Sequence, residues 1–177
     1  MTRITQRLPQ FENNPALFVV LGTFHGILYY AHDGEIEKIT ELEGDSFDHK
    51  DRGDLVTRSG GGQTYGVSST QRTDKDREYS IETFLAKTQD ALGAALKDKN
   101  IVHIFIFAPS HMKGRIEKDV FTQKSQALVR EYFGGTYTST TPTELVRKVS
   151  TVYDAHKESK KMPPTGDAQK ILKKKTS

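Results

Sequence analysis

Cysteine is absent from the 177 residues of the sequence. A chain without cysteine has neither a disulfide framework nor a thiolate metal site, and this composition is typical of a reducing compartment. Long apolar runs are absent as well: none reaches the roughly 18 residues that a membrane-spanning helix needs, and residues 1–7 lack the apolar core of a signal peptide. We therefore expect a cytoplasmic protein without a membrane partner.

The usual sequence patterns of cofactor chemistry are also missing. The chain has no Walker loop that opens a helix, no glycine fingerprint for dinucleotides and no paired histidines at metal-ligand spacing. Its six histidines are scattered, and His103 lies inside an apolar run, where a buried core residue is the expected role. We expect neither a cofactor nor a metal ion.

Hydrophobic residues make up only 34% of the chain, which predicts that part of it lies outside the folded core. Residues 157–177 hold seven lysines against Glu158 and Asp167, a net charge of +5; because the whole chain carries +3, residues 1–156 carry −2. A basic tail on a near-neutral body indicates either contact with a polyanion such as RNA or a solvated terminus.

The first half of the chain predicts three antiparallel strands. Residues 17–21 and 26–31 are short apolar runs that are typical of strands. Asp33-Gly34 then favours a type I′ turn, because both residues tolerate a positive φ. The apolar pattern continues beyond the turn through Ile36, Ile39 and Leu42.

The second half predicts helices that alternate with strands. Helical spacing of apolar residues predicts an amphipathic helix over about 78–97, and a continuous apolar run predicts a buried central strand over 101–107. Further helices are predicted over about 110–118 and 123–132, a last strand over 136–139, and a helix from Pro142 to about His156. We expect one α/β domain with a mixed sheet over residues 15–156, an N-terminal extension over 1–14 and a flexible basic tail over 157–177.

Ser110 and His111 stand where the central strand passes into a helix, a place at which α/β sheets bind ligands. A catalytic Ser–His pair is one interpretation of these residues. Adjacent residues rarely meet the geometry of nucleophile and base, however, and Ser110 is also explained as the N-cap of the following helix. We favour the capping role.

Residues 44–77 show no sustained apolar periodicity and predict a long loop, which is usually a functional or disordered segment. Within it, Gly60, Gly61 and Gly62 precede Gln63. Three consecutive glycines lose conformational entropy that an ordinary surface loop need not lose. They permit main-chain N–H groups to approach a phosphate, a ribose or a reacting carbonyl closely.

A Gly-Gly-Gln tripeptide on a long loop resembles the signature of class I peptide-chain release factors. In the central domain of the archaeal and eukaryotic factors, the motif follows strands and precedes a long helix, with a buried strand and a small-residue turn farther on. Residues 101–108 and Gly134-Gly135-Thr136-Tyr137 are similar to those last two elements. Residues 17–42 and Ala108-Pro109 also resemble the short bacterial relatives named as proteins required for attachment to host cells. The resemblance covers residues 15–150 and implies a ribonuclease H-like architecture.

What the resemblance implies is hydrolysis of the ester of peptidyl-tRNA on stalled or dissociated ribosomes. The main-chain N–H of Gln63 would stabilise the oxyanion while its side chain admits water, and Gly61 and Gly62 would permit the backbone turn. No catalytic base is required of the chain. The partners implied are the ribosome and peptidyl-tRNA, and no DNA partner is expected.

Candidate RNA contacts lie on both sides of the tripeptide and at the C-terminus. Arg58 and Arg72 are the only formal charges between residues 55 and 73, so this stretch carries no acid that would repel RNA. Lys75 and Arg77 follow, among acids that also fit a solvated helix start. Small ribosome-rescue hydrolases similarly join a Gly-Gly-Gln domain to a lysine-rich extension, and by that analogy ribosomal RNA would be bound by four lysines: Lys170, Lys173, Lys174 and Lys175.

Two other functions stay open at this point. Related release-factor-like domains in ribosome quality control act as nucleases on the 3′ end of tRNA. The chain could instead be a non-catalytic RNA- or protein-binding module of the attachment-protein type, in which the glycines serve only as a flexible linker.

Overall fold

A computed structural model describes residues 1–44 and 69–161 of the protein, and the side chains within 1–44 and 75–152. The described residues form a six-stranded mixed sheet in the order β1-β4-β3-β2-β5-β6, with helices packed on it. The strands are β1 (Thr2–Arg3), β2 (Ala16–Leu21), β3 (His25–His32), β4 (Glu35–Glu43), β5 (His103–Ala108) and β6 (Val129–Gly134). The helices are α1 (Ser69–Asp98), α2 (Lys113–Asp119), α3 (Gln123–Gln126) and α4 (Pro142–Lys161), with a 3₁₀ turn at Ser110–Met112. The expected α/β fold is confirmed, and the ribonuclease H-like architecture stays a prediction.

The three antiparallel strands predicted for the first half are β2, β3 and β4. Asp33 and Gly34 form the two-residue turn between β3 and β4, with φ of 45° and 77°. Two consecutive positive φ angles are those of a type I′ turn, which the Asp-Gly pair predicts. This prediction is confirmed.

The predicted central strand is β5, which lies parallel to both β2 and β6. All six of its residues are buried, because the sheet is covered on both faces at this point. On one face Leu17, Ile104 and Ile106 pack under α1 and α2. On the other face Phe18, Phe105 and Phe107 pack under α4, together with residues of the N-terminal segment.

Helix α1 covers the predicted helix and begins nine residues before it, at Ser69. Residues 69–77 are therefore helical, and the prediction of a loop up to residue 77 is wrong at that end. Residues 69–77 are all polar, so they show no apolar periodicity. The side chains of residues 75–79 are exposed, and Phe84 is the first fully buried one described on α1. Residues 45–68 lie outside the described residues.

The region after α2 differs from its prediction. The helix predicted over 123–132 ends at Gln126, and residues 129–134 form β6. Thr122 and Ser125 form a capping box that fixes the short α3, while pairing with β5 selects the strand that follows. The strand predicted over 136–139 is also wrong, because the chain turns there and the Thr140 N–H donates to the Tyr137 carbonyl oxygen at 2.9 Å.

The last described helix begins at Pro142, as predicted. The N–H and the hydroxyl of Thr141 donate to the Glu144 carboxylate at 3.1 and 2.9 Å. These hydrogen bonds hold the pKa of Glu144 below its usual value. The helix extends to Lys161, five residues beyond its predicted end, so the first residues of the predicted tail are helical.

Residues 1–14, expected as an extension, pack against the sheet. β1 pairs with the start of β4, and the side chains of Ile4 and Phe11 are buried. The Phe11 ring meets the Phe18 ring edge to face, with centroids 5.8 Å apart. This segment therefore contributes to the core of the domain. None of the described helices is long and apolar enough to cross a membrane.

Candidate functional site

Four strands run in the same direction and end at one side of the sheet, which we call the carboxyl edge. β2 is parallel to β5 and β5 to β6, while β4 shares their direction because both β2 and β4 are antiparallel to β3. Ligands of α/β proteins bind outside the carboxyl ends of such strands. The carboxyl edge is therefore the candidate functional site within the described part of the chain.

An open groove of about 500 Å³ lies at the carboxyl edge. Its walls come from the turn between β2 and β3 with the first residue of β3, from the end of β4, and from the segments after β5 and β6: Gly22, Thr23, Phe24, His25, Glu43, Gly44, Pro109, Thr136 and Thr138. Most of these residues are small or polar. The groove reaches Gly44, after which the chain continues into residues 45–68.

Glycines allow the segments of the carboxyl edge to approach one another. A Cβ on Gly22 would lie 3.1 Å from Cγ2 of Thr138, and a Cβ on Gly134 would collide with the Ser110 hydroxyl. The Gly22 N–H also donates to the His25 carbonyl oxygen at 2.7 Å, which closes the turn between β2 and β3. Close packing thus explains both glycines.

The end of β4 is anchored at two points. The Gly44 N–H donates to the Phe24 carbonyl oxygen at 2.7 Å, and a Cβ on Gly44 would lie 3.1 Å from Cδ2 of Phe84 on α1. The end of β4 therefore meets α1 at Phe84. Gly44, the last described residue before residue 45, is thus held at the carboxyl edge.

The ionisable groups beside this anchor form one exposed network. Nε2 of His25 and Nζ of Lys38 lie 2.9 and 2.6 Å from the two carboxylate oxygens of Glu41. The hydrogen bond from Lys38, followed by that from His25, lowers the pKa of Glu41. Glu41 is therefore a carboxylate at neutral pH and is not suited to act as a general acid.

Ser110 and His111 follow β5 at the carboxyl edge and are both exposed. The capping role favoured for Ser110 is wrong: it is the first residue of the 3₁₀ turn, and the element has no side-chain cap. The Met112 N–H instead donates to the Pro109 carbonyl oxygen at 2.9 Å, so the turn closes through its backbone. No Ser110–His111 side-chain hydrogen bond occurs in the described structure, and the pair stays without geometric support.

His103 lies at the opposite end of β5, away from the groove. It is buried, and Nε of Arg130 donates to its Nδ1 at 2.9 Å. Burial, and secondarily the charge of Arg130, lowers the pKa of His103. The residue is thus a hydrogen-bonded core histidine, as its place in the apolar run predicted. Of the side chains that the structure describes, no three from His, Cys, Asp and Glu are grouped to hold a metal ion.

The predicted site residues divide into two groups. Arg72, Lys75 and Arg77 belong to the early part of α1, where the side chains of Lys75 and Arg77 are exposed. The rest lie outside the described residues: Arg58, Gly61, Gly62, Gln63, Lys170, Lys173, Lys174 and Lys175.

Tyr79, one turn after Lys75 on α1, was not identified from the sequence. This side chain is 71% exposed, although tyrosine is usually at least half buried. A helical projection would have found it, because Ile81, Phe84 and Leu85 define the apolar face of α1 and Tyr79 falls outside that face.

Comparisons with known proteins give only distant likenesses. No protein-family model matches the chain. No curated protein matches it either.

Three solved structures are similar to the chain at a low level. An archaeal translation termination factor, aRF1, is 9% identical over 82% of this chain and 40% of its own, with a TM-score of 0.42. A structure described as an archaeal protein is 11% identical over 93% of this chain and 42% of its own, with a TM-score of 0.39. S. cerevisiae Dom34, a translation termination-like factor involved in RNA quality control pathways and interacting with Hbs1, is 10% identical over 84% and 40%, with a TM-score of 0.41. The chain spans about two fifths of the length of these proteins, and likenesses at this level assign it neither a family nor an activity.

Proposed function

We propose that this protein hydrolyses the ester bond of peptidyl-tRNA on stalled or dissociated ribosomes, through Gly61, Gly62 and Gln63. The observation that supports the proposal is the place of the tripeptide in the chain order. It lies between β4, which ends at the carboxyl edge, and α1, whose first described side chains are exposed. Functional segments of this kind are commonly carried between elements of a rigid scaffold.

The proposed chemistry uses the main chain of the tripeptide. A water molecule attacks the carbonyl carbon of the ester, and the main-chain N–H of Gln63 donates to the oxyanion that forms. The bond to the ribose oxygen then breaks, and that oxygen takes up the proton that the attacking water loses, so that the products are the free hydroxyl of the tRNA and the carboxyl group of the peptide. The Gln63 side chain shapes the pocket so that water enters in preference to other nucleophiles, and Gly61 and Gly62 allow the backbone to approach the ester.

Cations around the tripeptide would hold the RNA backbone. Arg58 and Arg72 lie on either side of it in the sequence, and Lys75 and Arg77 continue along α1. Each Lys or Arg that neutralises a phosphate releases a counterion, so binding should weaken as salt rises. The lysines at 170, 173, 174 and 175 would add contacts to ribosomal RNA.

The test incubates the full chain with stalled ribosome complexes that carry labelled peptidyl-tRNA, and then resolves free peptide, intact tRNA and shortened tRNA. Free peptide with intact tRNA is expected. Gln63→Pro removes the N–H that binds the oxyanion and should slow release about 10²- to 10³-fold. Gln63→Ala keeps that N–H and should retain release but admit hydroxylamine as a competing nucleophile. Gln89→Ala changes an exposed glutamine on α1 and serves as the matched control.

Each of the other outcomes has a distinct meaning. Shortened tRNA would replace the proposal with the nuclease function. If neither peptide release nor tRNA cleavage depends on residue 63, both enzymatic functions are contradicted. The remaining function is then that of a non-catalytic binding module. Deletion of residues 162–177, which starts after α4 ends, should weaken co-sedimentation with ribosomes without lowering thermal stability; unchanged co-sedimentation would contradict the role of the tail.

A further inference from the structure

Tyr79 differs from the other tyrosines whose side chains the structure describes. Tyr29 and Tyr30 are buried, and the hydroxyl groups of Tyr132 and Tyr137 donate to the carbonyl oxygens of Pro109 and Gly134 at 2.8 and 3.3 Å. The Tyr79 side chain has no hydrogen bond or ring contact with the described residues. No described contact of the Tyr79 ring therefore stabilises the fold.

The helix turns Tyr79 away from the sheet. Thr88, which is fully buried, follows Tyr79 by nine residues, or two and a half turns, so the two lie on opposite sides of α1. Lys75 precedes Tyr79 by four residues and is exposed on the same outward side. The exposed side of α1 thus combines an aromatic ring with a cation.

Lys75 is the exposed cation beside Tyr79, one helical turn before it. The carboxylate of Glu78 is engaged by the guanidinium of Arg115 on α2. Asp76 and Glu82, three residues before and after Tyr79, are exposed acids on the same side of α1. A phosphate bound beside the Tyr79 ring would therefore be held by Lys75.

The surroundings of Tyr79 favour a flat polar ligand over an apolar protein surface. Met1 is the only other large hydrophobic side chain that is strongly exposed among the described residues. Tyr79 is accordingly a single ring among polar neighbours and not part of an apolar patch. A nucleobase matches this environment, because it can stack on the ring while its phosphate meets a cation one helical turn away.

We infer that Tyr79 is a base-stacking platform which, with Lys75, binds single-stranded RNA along the outward side of α1. The choice of RNA rests on the proposed function, and the inference adds an RNA-binding site on the described part of the chain. The stacked base and the phosphate held by Lys75 would belong to neighbouring nucleotides.

The test is a fluorescence anisotropy titration of a labelled twelve-nucleotide oligouridylate with the full chain. Tyr79→Ala should weaken binding about 5- to 150-fold, the range for loss of one base–aromatic stack. Tyr79→Phe keeps the ring and should bind within about twofold of the unmodified protein. Lys75→Ala should lower the salt slope by about 0.7, the value for one phosphate contact on a single strand. Lys87→Ala, an exposed lysine three turns farther along α1, should leave the slope unchanged.

The inference is overturned if the unmodified protein does not bind the RNA, or if Tyr79→Ala binds it equally well. Peptide release that depends on residue 63 but not on Tyr79 would remove the inference and leave the proposed function. If RNA binding depends on Tyr79 but the protein releases no peptide, the inference stands and the proposed function is contradicted. Loss of a protein partner alone in Tyr79→Ala would replace RNA with a protein ligand.

Discussion

Helix α1 has two parts that perform different tasks. The sheet-packed part, from Phe84 to Asp98, buries Phe84, Leu85 and Leu92 in the core. The outer part, residues 75–79, buries none of its side chains and exposes 71% of Tyr79. One continuous helix therefore holds the domain together with one part and presents polar and aromatic groups with the other, so stability and binding should respond to different substitutions.

The largest expected effect contrasts the two aromatic residues of α1. Phe84→Ala should lower the free energy of unfolding by about 3–5 kcal/mol, because the fully buried ring leaves a cavity. Tyr79→Ala should change it by no more than about 0.5 kcal/mol, since the ring is exposed. Urea denaturation of both variants measures the difference, and similar losses in the two would contradict the division of α1.

A smaller loss of unfolding free energy is expected where β3 packs against the sheet-packed part of α1. Gly26→Ala would place a Cβ 2.9 Å from Cδ2 of Leu21 and 3.2 Å from Cζ of Phe84. Overpacking of this kind costs about 1–3 kcal/mol of unfolding free energy. Urea denaturation of the variant and the unmodified protein, with the same dependence of unfolding free energy on urea, measures the change in midpoint. An unchanged midpoint would contradict the prediction and mean that the Leu21 and Phe84 side chains move apart without cost.

Gly93 on the same helix should respond in the opposite sense. No atom outside the local helix lies within 4 Å of a Cβ built there, so Gly93→Ala gains helix propensity without a clash. We expect stabilisation by about 0.5–1 kcal/mol and a rise in Tm of about 1–4 °C by calorimetry. Gly114→Ala on α2, where the space is also open, is the matched comparison. A lower Tm in either variant would contradict the open packing of that site.

The smallest effect concerns the attachment of the outer part to α2. Glu78→Gln removes the ion pair between Glu78 and Arg115, whose side chains are 52% and 35% exposed, respectively. Exposed pairs contribute about 0–1 kcal/mol, and screening should erase the loss at high salt. Urea denaturation at low and high salt checks this, with Glu117→Gln, which breaks the exposed pair with Lys113, as the control. A loss that persists at high salt would mean that Glu78 packs as well as pairs.

The elements with local determinants were predictable from the sequence. Asp33-Gly34 specifies its own turn, and the run 101–107 is apolar enough to identify a buried strand. β6 was not predictable, because residues 123–132 also fit helical spacing and only pairing with β5 selects the strand. The start of α1 was missed because residues 69–77 are all polar and show no apolar periodicity.

The candidate site was predictable to a lesser extent. Lys75 and Arg77 were identified from charge alone, and both are exposed on α1. The anchoring of Gly44 against Phe84 joins residues forty positions apart, and no local pattern indicates such a contact. The roles assigned to Gly61, Gly62 and Gln63 stay predictions.

The burial of Leu92 and Ala95 also fixes the direction of α1. Ser69 lies fifteen residues before Phe84, which is about 22 Å along the helix axis. A rigid tilt of about 10° around Phe84 would displace Ser69 by about 4 Å, but it would also displace Leu92, eight residues beyond Phe84, by about 2 Å and disrupt its close packing in the core. The core contacts beyond Phe84 therefore hold the first residue of α1 in a defined place, even though it lies about four turns away from that ring.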